Sequence, residues 1–113
     1  MTDDKFNIIK NHKLKRAILA ALADEISKTI LDSTIDKSKT VDEIIAEKKI
    51  PHTSAYRKVE WLLSKQLLFI EKVEKSKINE SRFFLARFTN IFIEYRQGDI
   101  DINAINNQKI PDL

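Results

Sequence analysis

The sequence predicts an α+β fold in which four helices precede two β-hairpins. Three observations carry that expectation. Between Asn11 and Lys65 apolar residues recur at helical spacing, in stretches separated by polar or capping residues. LLFIEKVEKS and SRFFLARF are then rich in β-branched and aromatic residues, around the polar tip KSKINES. Finally, IFIEYRQGDIDINAI alternates around Gln97-Gly98, and that glycine is the only one in the chain.

The first helix runs from Asn11 to about Ala23. Leu14, Ile18, Leu19 and Leu22 form its apolar stripe, with Lys13, Lys15 and Arg16 on the other side. How much of KFNIIK joins it is left open, because Asn11 suits either a cap or the interior. Asp24 opens a second helix with Ile26, Ile30 and Leu31 inward, unless the two helices bend into one another. Thr40 starts a third. In T-V-D-E its hydroxyl accepts from the Glu43 N–H while the Glu43 carboxylate reaches back to the Thr40 N–H. Ile44, Ile45 and Ala46 give this helix its apolar side, and it ends near Lys49. Pro51 begins a fourth helix, at the one place where a missing N–H is harmless, and it runs to about Lys65. Ala55, Val59, Leu62 and Leu63 face inward from it. In the last hairpin, pairing outward from Gln97-Gly98 sets Tyr95 opposite Ile100 and Ile93 opposite Ile102. The expected organisation is one domain over 1–113: a core from about 12 to 90, a hairpin from about 90 to 105, and a frayed tail over 106–113.

At 113 residues the chain is long enough to bury about 65% of its unfolded surface. No apolar run approaches the roughly 20 residues of a bilayer crossing, and MTDDKFNIIKNHK lacks the pattern of a secretory signal. A cytoplasmic location is the expectation by default. The absence of cysteine excludes disulfides, thiolate metal sites and a cysteine nucleophile. Nor is there a P-loop, a glycine-rich cradle or a His–carboxylate cluster at useful spacing, so no enzyme and no cofactor is expected. Asp24-Glu25 and Asp42-Glu43 stand at helix starts, where the macrodipole favours acids.

Charge is distributed unevenly. Residues 48–90 carry 10 Lys/Arg against 4 Asp/Glu, a net of +6, whereas the whole chain carries only +3. Concentrated like charge opposes folding, and an anionic partner is one reason to keep it.

A short helix, a tight turn and a longer helix make a helix-turn-helix, and the following hairpin makes a wing. Helical spacing turns Thr53, Ser54, Arg57, Trp61 and Ser64 away from the core, with Tyr56 and Lys58 flanking the stripe. In such a motif the start of the longer helix enters the major groove. Arg57 suits a bidentate contact to guanine, and Thr53 and Ser54 can donate or accept, unless they only cap the helix. His52 and Tyr56 reach phosphate or base, whereas Lys58 and Lys65 suit phosphate. Lys72, Lys75, Lys77 and Arg82 place cations around the wing tip, for the minor groove or the backbone. The outlying Trp61 is expected to tuck beneath the wing strands; an exposed indole would instead mark a contact surface.

These residues resemble a known family. TVDEIIAEKKIPHTSAYRKVEWLLSKQLLFIEKVEKSKINESRFFLARF is similar to the winged helix-turn-helix core of small archaeal transcriptional regulators related to the ArsR and MarR/PadR groups. ILAALADEISKTIL resembles the segment ALAD-E-x-R-x-x-IL that opens ArsR-type domains, with Ser27 and Lys28 where an arginine is usual. Ile50-Pro51 with Ser54, Tyr56 and Arg57 resembles the start of the recognition helix. The likeness spans about residues 14 to 90 and implies a regulator that binds double-stranded DNA, usually as a homodimer.

The chain also departs from that pattern. Lys49 and Gln66 stand where the family often has glycine, at a cost on the order of 1 kcal/mol if the geometry is left-handed. Asn79-Glu80 replaces the common Asp-Gly of the wing tip, and the cysteines of ArsR-type metal sensors are missing. No metal and no small-molecule ligand is expected. The dimer surface is either the first helix or the apolar face of the C-terminal hairpin. A second functional reading remains, in which the winged helix is a protein-interaction module of a transcription or replication assembly.

Overall fold

The computed structural model describes residues 6–110. Four helices are α1 (His12–Ala23), α2 (Glu25–Ser33), α3 (Val41–Lys48) and α4 (His52–Ser64). Five strands accompany them: β1 (Phe6–Ile9), β2 (Leu68–Lys75), β3 (Glu80–Ala86), β4 (Phe88–Arg96) and β5 (Asp99–Asn106). The fold is therefore α+β, with two small antiparallel sheets, β2-β3 and β1-β5-β4. No helix among the described residues is long and apolar enough to cross a membrane.

Capping residues set the helix boundaries. The Asn11 side chain accepts from the Leu14 N–H at 2.9 Å, so Asn11 is the cap of α1 and not its interior. Asp24, extended at φ −98° and ψ 120°, separates α1 from α2 and accepts from the Ser27 N–H at 2.9 Å. Both halves of the Thr40–Glu43 capping box are made, at 3.1 and 2.9 Å.

The turns keep the geometry that favours glycine although glycine is absent. Lys49 (φ 59°) ends α3, and Gln66 (φ 62°) follows α4, both in the left-handed region. The β4–β5 turn has Gln97 at φ 53° and Gly98 at φ 89°, which fits a type I′ hairpin. Its register sets Tyr95 opposite Ile100 and Ile93 opposite Ile102, as the alternation predicts.

Ile18 and Ala21 of α1, Ile30 of α2, Ile44 of α3 and Val59 and Leu62 of α4 share one core with Phe84, Phe88, Ile102 and Ala104. Val41, Ala17 and Ser27 are also buried, which the larger apolar residues around them had obscured. The β4–β5 face with Ile91, Ile102 and Ala104 packs on its own helices. A small apolar gap lined by Ile18, Ala21, Leu22, Leu31, Leu67, Phe88 and Ile91 marks the junction.

One open question is resolved and one expectation needs correction. The sequence leaves open how far the first helix reaches into KFNIIK; Phe6–Ile9 does not join it, because it is a strand that pairs antiparallel with β5, Phe6 opposite Ile105. Nor does the chain fray from residue 106. Asn106 ends β5, and both Asn106 and Asn107 are buried. The Asn107 side chain donates to the Ile35 carbonyl at 2.9 Å and to the Ala86 carbonyl at 3.0 Å. Those two bonds tie the end of the chain to the α2–α3 loop and to β3; residues 111–113 of the expected tail lie outside the described ones.

Candidate nucleic-acid interface

The β2–β3 hairpin and α4 share one side of the molecule. Lys39 exchanges backbone hydrogen bonds with Phe84 at 3.1 and 2.9 Å, which holds the root of the hairpin against the start of α3. β2 bulges between Ile70 and Lys72, and the Ser38 hydroxyl donates to the Glu71 carboxylate there. The outer part of the hairpin stands clear, with every residue from Glu71 to Glu80 exposed. Farther down, Arg82 of β3 pairs with Glu60 of α4, so the two elements are joined.

α4 buries Ala55, Val59 and Leu62 and turns Thr53, Arg57, Glu60 and Ser64 to solvent. Its start differs from the other three helices. Asn11, Asp24 and Thr40 cap α1, α2 and α3 with side-chain acceptors, but Pro51 has none. Thr53 and Ser54 lie within the helix and do not cap it, which leaves their side chains available. An uncapped helix start presents N–H groups and a partial positive charge to an anion.

The ten candidate residues divide into three groups. Arg57, Lys65, Lys75 and Lys77 are exposed, and among the described residues none of them forms an ion pair. Lys75 faces Glu80 across the ladder without closing a salt bridge. Thr53 is exposed and Ser54 half-buried at the start of α4. The remaining four are engaged within the chain. The Tyr56 hydroxyl donates to Asp42 Oδ1 of α3 at 2.8 Å, and that bond, more than burial, pushes the phenol above its ordinary value. His52 lies against the Tyr56 ring at 4.8 Å between centroids. Lys58 Nζ sits 3.3 Å from Asp24 Oδ2. Arg82 is held by Glu60 and lies over the Phe84 ring, 5.1 Å from its centroid. Nearby on the hairpin, Lys72 covers the Phe83 ring at 4.6 Å and pairs with Glu74 at 3.3 Å.

Trp61 does not lie beneath the wing strands. Helical spacing carries it to the flank of α4 that faces α1 and α2. There it packs on the core and lines a cleft of about 360 Å³ with Ala20, Asp24, Ser27, Arg57 and Lys58.

Sequence reasoning missed Glu60. At 100° per residue it lies about 60° from Arg57, on the same side as Thr53 and Ser64, so the signal was present in the spacing. Its carboxylate puts a negative charge between helix and hairpin, offset by Arg82. No family model matches this chain, and no curated protein matches it.

Proposed function

We propose that the chain is a winged helix-turn-helix regulator that binds double-stranded DNA, with α3 and α4 as the helix-turn-helix and β2–β3 as the wing. The supporting observation is that four of the ten candidate residues are exposed cations without ion pairs among the described residues. Arg57 stands on α4 and Lys65 directly after it, Lys75 and Lys77 lie at the wing tip, and Arg82–Glu60 joins the two elements. The uncapped start of α4 adds N–H donors to that surface. In this reading Arg57 enters the major groove with Thr53 and Ser54 beside it, and the lysines meet phosphates. Tyr56 and Lys58 act by fixing α4 against Asp42 and Asp24. The location proposed for such a regulator is the cytoplasm.

The interaction-module reading puts Trp61 and the wing aromatics at the contact, and the indole is partly buried against the core. We therefore prefer DNA.

The regulator acts as a homodimer, with its two recognition helices about 34 Å apart on a two-fold site. The α1 stripe is already used against its own chain, since Ile18 is buried and Leu14, Leu19 and Leu22 pack partly buried against the core. The apolar face of the hairpin also stays open near its turn, where Ile93 and Tyr95 are 44% and 73% exposed; the surface proposed for a second copy is the outer face of the β1-β5-β4 sheet. Phe6, Ile8 and Phe92 are 43%, 66% and 49% exposed on it, and Arg96 joins the nearby Glu94 and Asp101 in ion pairs. Sedimentation equilibrium of the wild type and Phe92→Lys tests it; a wild-type monomer at micromolar concentration would refute the dimer.

DNA binding is tested by fluorescence anisotropy of a labelled random-sequence duplex across a salt series. Log affinity should fall linearly with log salt. Replacing Lys75 and Lys77 together by Gln should lower the slope by about 2, roughly one for each phosphate contact. Arg57→Ala should weaken binding at every salt concentration. No binding at low salt would sink the reading.

A further inference from the structure

Ile78 is 88% exposed, more than any other large apolar side chain among the described residues. It stands at the tip of the β2–β3 hairpin between Lys77 and Asn79. The tip is a closed turn: the Ser76 N–H donates to the Asn79 carbonyl at 2.8 Å, and the Asn79 N–H donates to Ser76 Oγ at 3.1 Å. Ile70 and Val73, on the same hairpin, are also exposed. A tip made only to attract phosphate has no use for a branched alkyl group held in water, where its burial energy is unspent.

We propose that Ile78 is an apolar wedge that enters the minor groove beside the site of α4, opens a base step and bends the duplex. The proposal rests on the DNA-binding reading above. Lys75 and Lys77, unpaired among the described residues, would hold phosphates on either side of the groove while the isoleucine meets deoxyribose and base edges. Apolar side chains inserted this way kink DNA by about 20–90°. The deformation is easiest at pyrimidine–purine steps, so the wedge gives sequence preference without a base hydrogen bond. An anionic membrane is the competing partner for a cationic tip with an alkyl end. A single isoleucine offers little apolar area for insertion, since even one myristoyl chain anchors only marginally. A groove demands much less area.

The test needs no operator. Two duplexes of equal length and A·T content are labelled at both ends, one alternating, with a TA step in every repeat, and one an A-tract. Full-length wild type, Ile78→Ser and Ile78→Leu are titrated at low salt, reading affinity and end-to-end energy transfer. The wild type should prefer the alternating duplex by about tenfold, ~1.4 kcal/mol, and shorten its end-to-end distance. Ile78→Ser should lose both effects, and Ile78→Leu should keep them. Ile78→Ser behaving like wild type on both duplexes would overturn the wedge while leaving DNA binding intact. A wild type that binds neither duplex would overturn the functional reading as well. Ile78-dependent binding to phosphatidylserine vesicles, without duplex bending, would overturn the wedge in favour of a membrane contact.

Discussion

Arg82 on β3 and Glu60 on α4 form an ion pair across the valley between hairpin and helix. Both side chains are partly exposed, 33% and 56%, and Arg82 also lies over Phe84. The pair braces the hairpin, but it places a carboxylate on the surface proposed to face DNA, and it occupies a cation proposed from the sequence as a backbone contact.

Glu60→Gln should therefore strengthen duplex binding. Removing the repulsion and releasing Arg82 should raise low-salt affinity roughly three- to tenfold and steepen the salt slope by about 1. Arg82→Ala should lower folding stability by less than about 1 kcal/mol, as surface pairs do. Anisotropy and urea unfolding read the two effects. Unchanged or weaker DNA binding by Glu60→Gln would place Glu60 outside the interface.

Lys49 and Gln66 hold left-handed backbone that glycine adopts without strain. Lys49→Gly and Gln66→Gly should each stabilise the fold by about 1 kcal/mol, with nearly additive effects in the double variant. Urea midpoints measure this, and a lower midpoint in both would show that the left-handed conformation carries no strain.

Asp24 gives the fold an acid-sensitive joint. The Ser27 N–H first, and then Lys58, hold its carboxyl below the ordinary 3.8. A depressed folded pKa stabilises above the unfolded value, and the contribution is lost as pH falls through the folded one. At neutral pH the contribution is full, and it should fade below about pH 4. Asp24→Asn keeps a capping side chain without the charge, so its deficit relative to wild type should be larger at pH 7 than at pH 2.5. Asp24→Ala should cost about 1 kcal/mol at pH 7 through the lost cap. Equal Asp24→Asn deficits at both pH values would exclude the charge as a contributor.

Asn107→Ala should destabilise by about 2 to 3 kcal/mol, because it strands the Ile35 and Ala86 carbonyls that the side chain satisfies. Thermal melting checks it; a shift within error would mean that water replaces the amide at little cost.

What the sequence made legible was local. Thr40 announces its helix because an N-cap acts on N–H groups two or three residues away, whereas Asn11 and Asp24 each left an alternative open. The β4–β5 register was readable because Gly98 permits the turn and alternating apolar residues penalise a one-residue slip. The four unpaired cations of the candidate surface were also among those read from the sequence. What escaped depends on distant partners. Phe6–Ile9 becomes a strand only because β5 offers an edge, and Asn107 is buried only because the α2–α3 loop and β3 leave it two carbonyls. The same holds for the outer face of α4. Spacing put Glu60 there, but the arginine that answers it lies 22 positions on, in another element.

The pairing of β1 with β5 has a consequence for folding order. Asn7 and Asn106, bonded side chain to side chain, are 99 positions apart, whereas both hairpins close within a few residues. Closing so large a loop is entropically unfavourable until the intervening chain has compacted. β1 should thus dock last, as the slow step of assembly and the first segment to open. A circular permutant that joins the ends beside β1 and β5 and opens the chain at Ser76–Asn79 would turn that longest-range contact into a local one, and it should fold faster than the natural order.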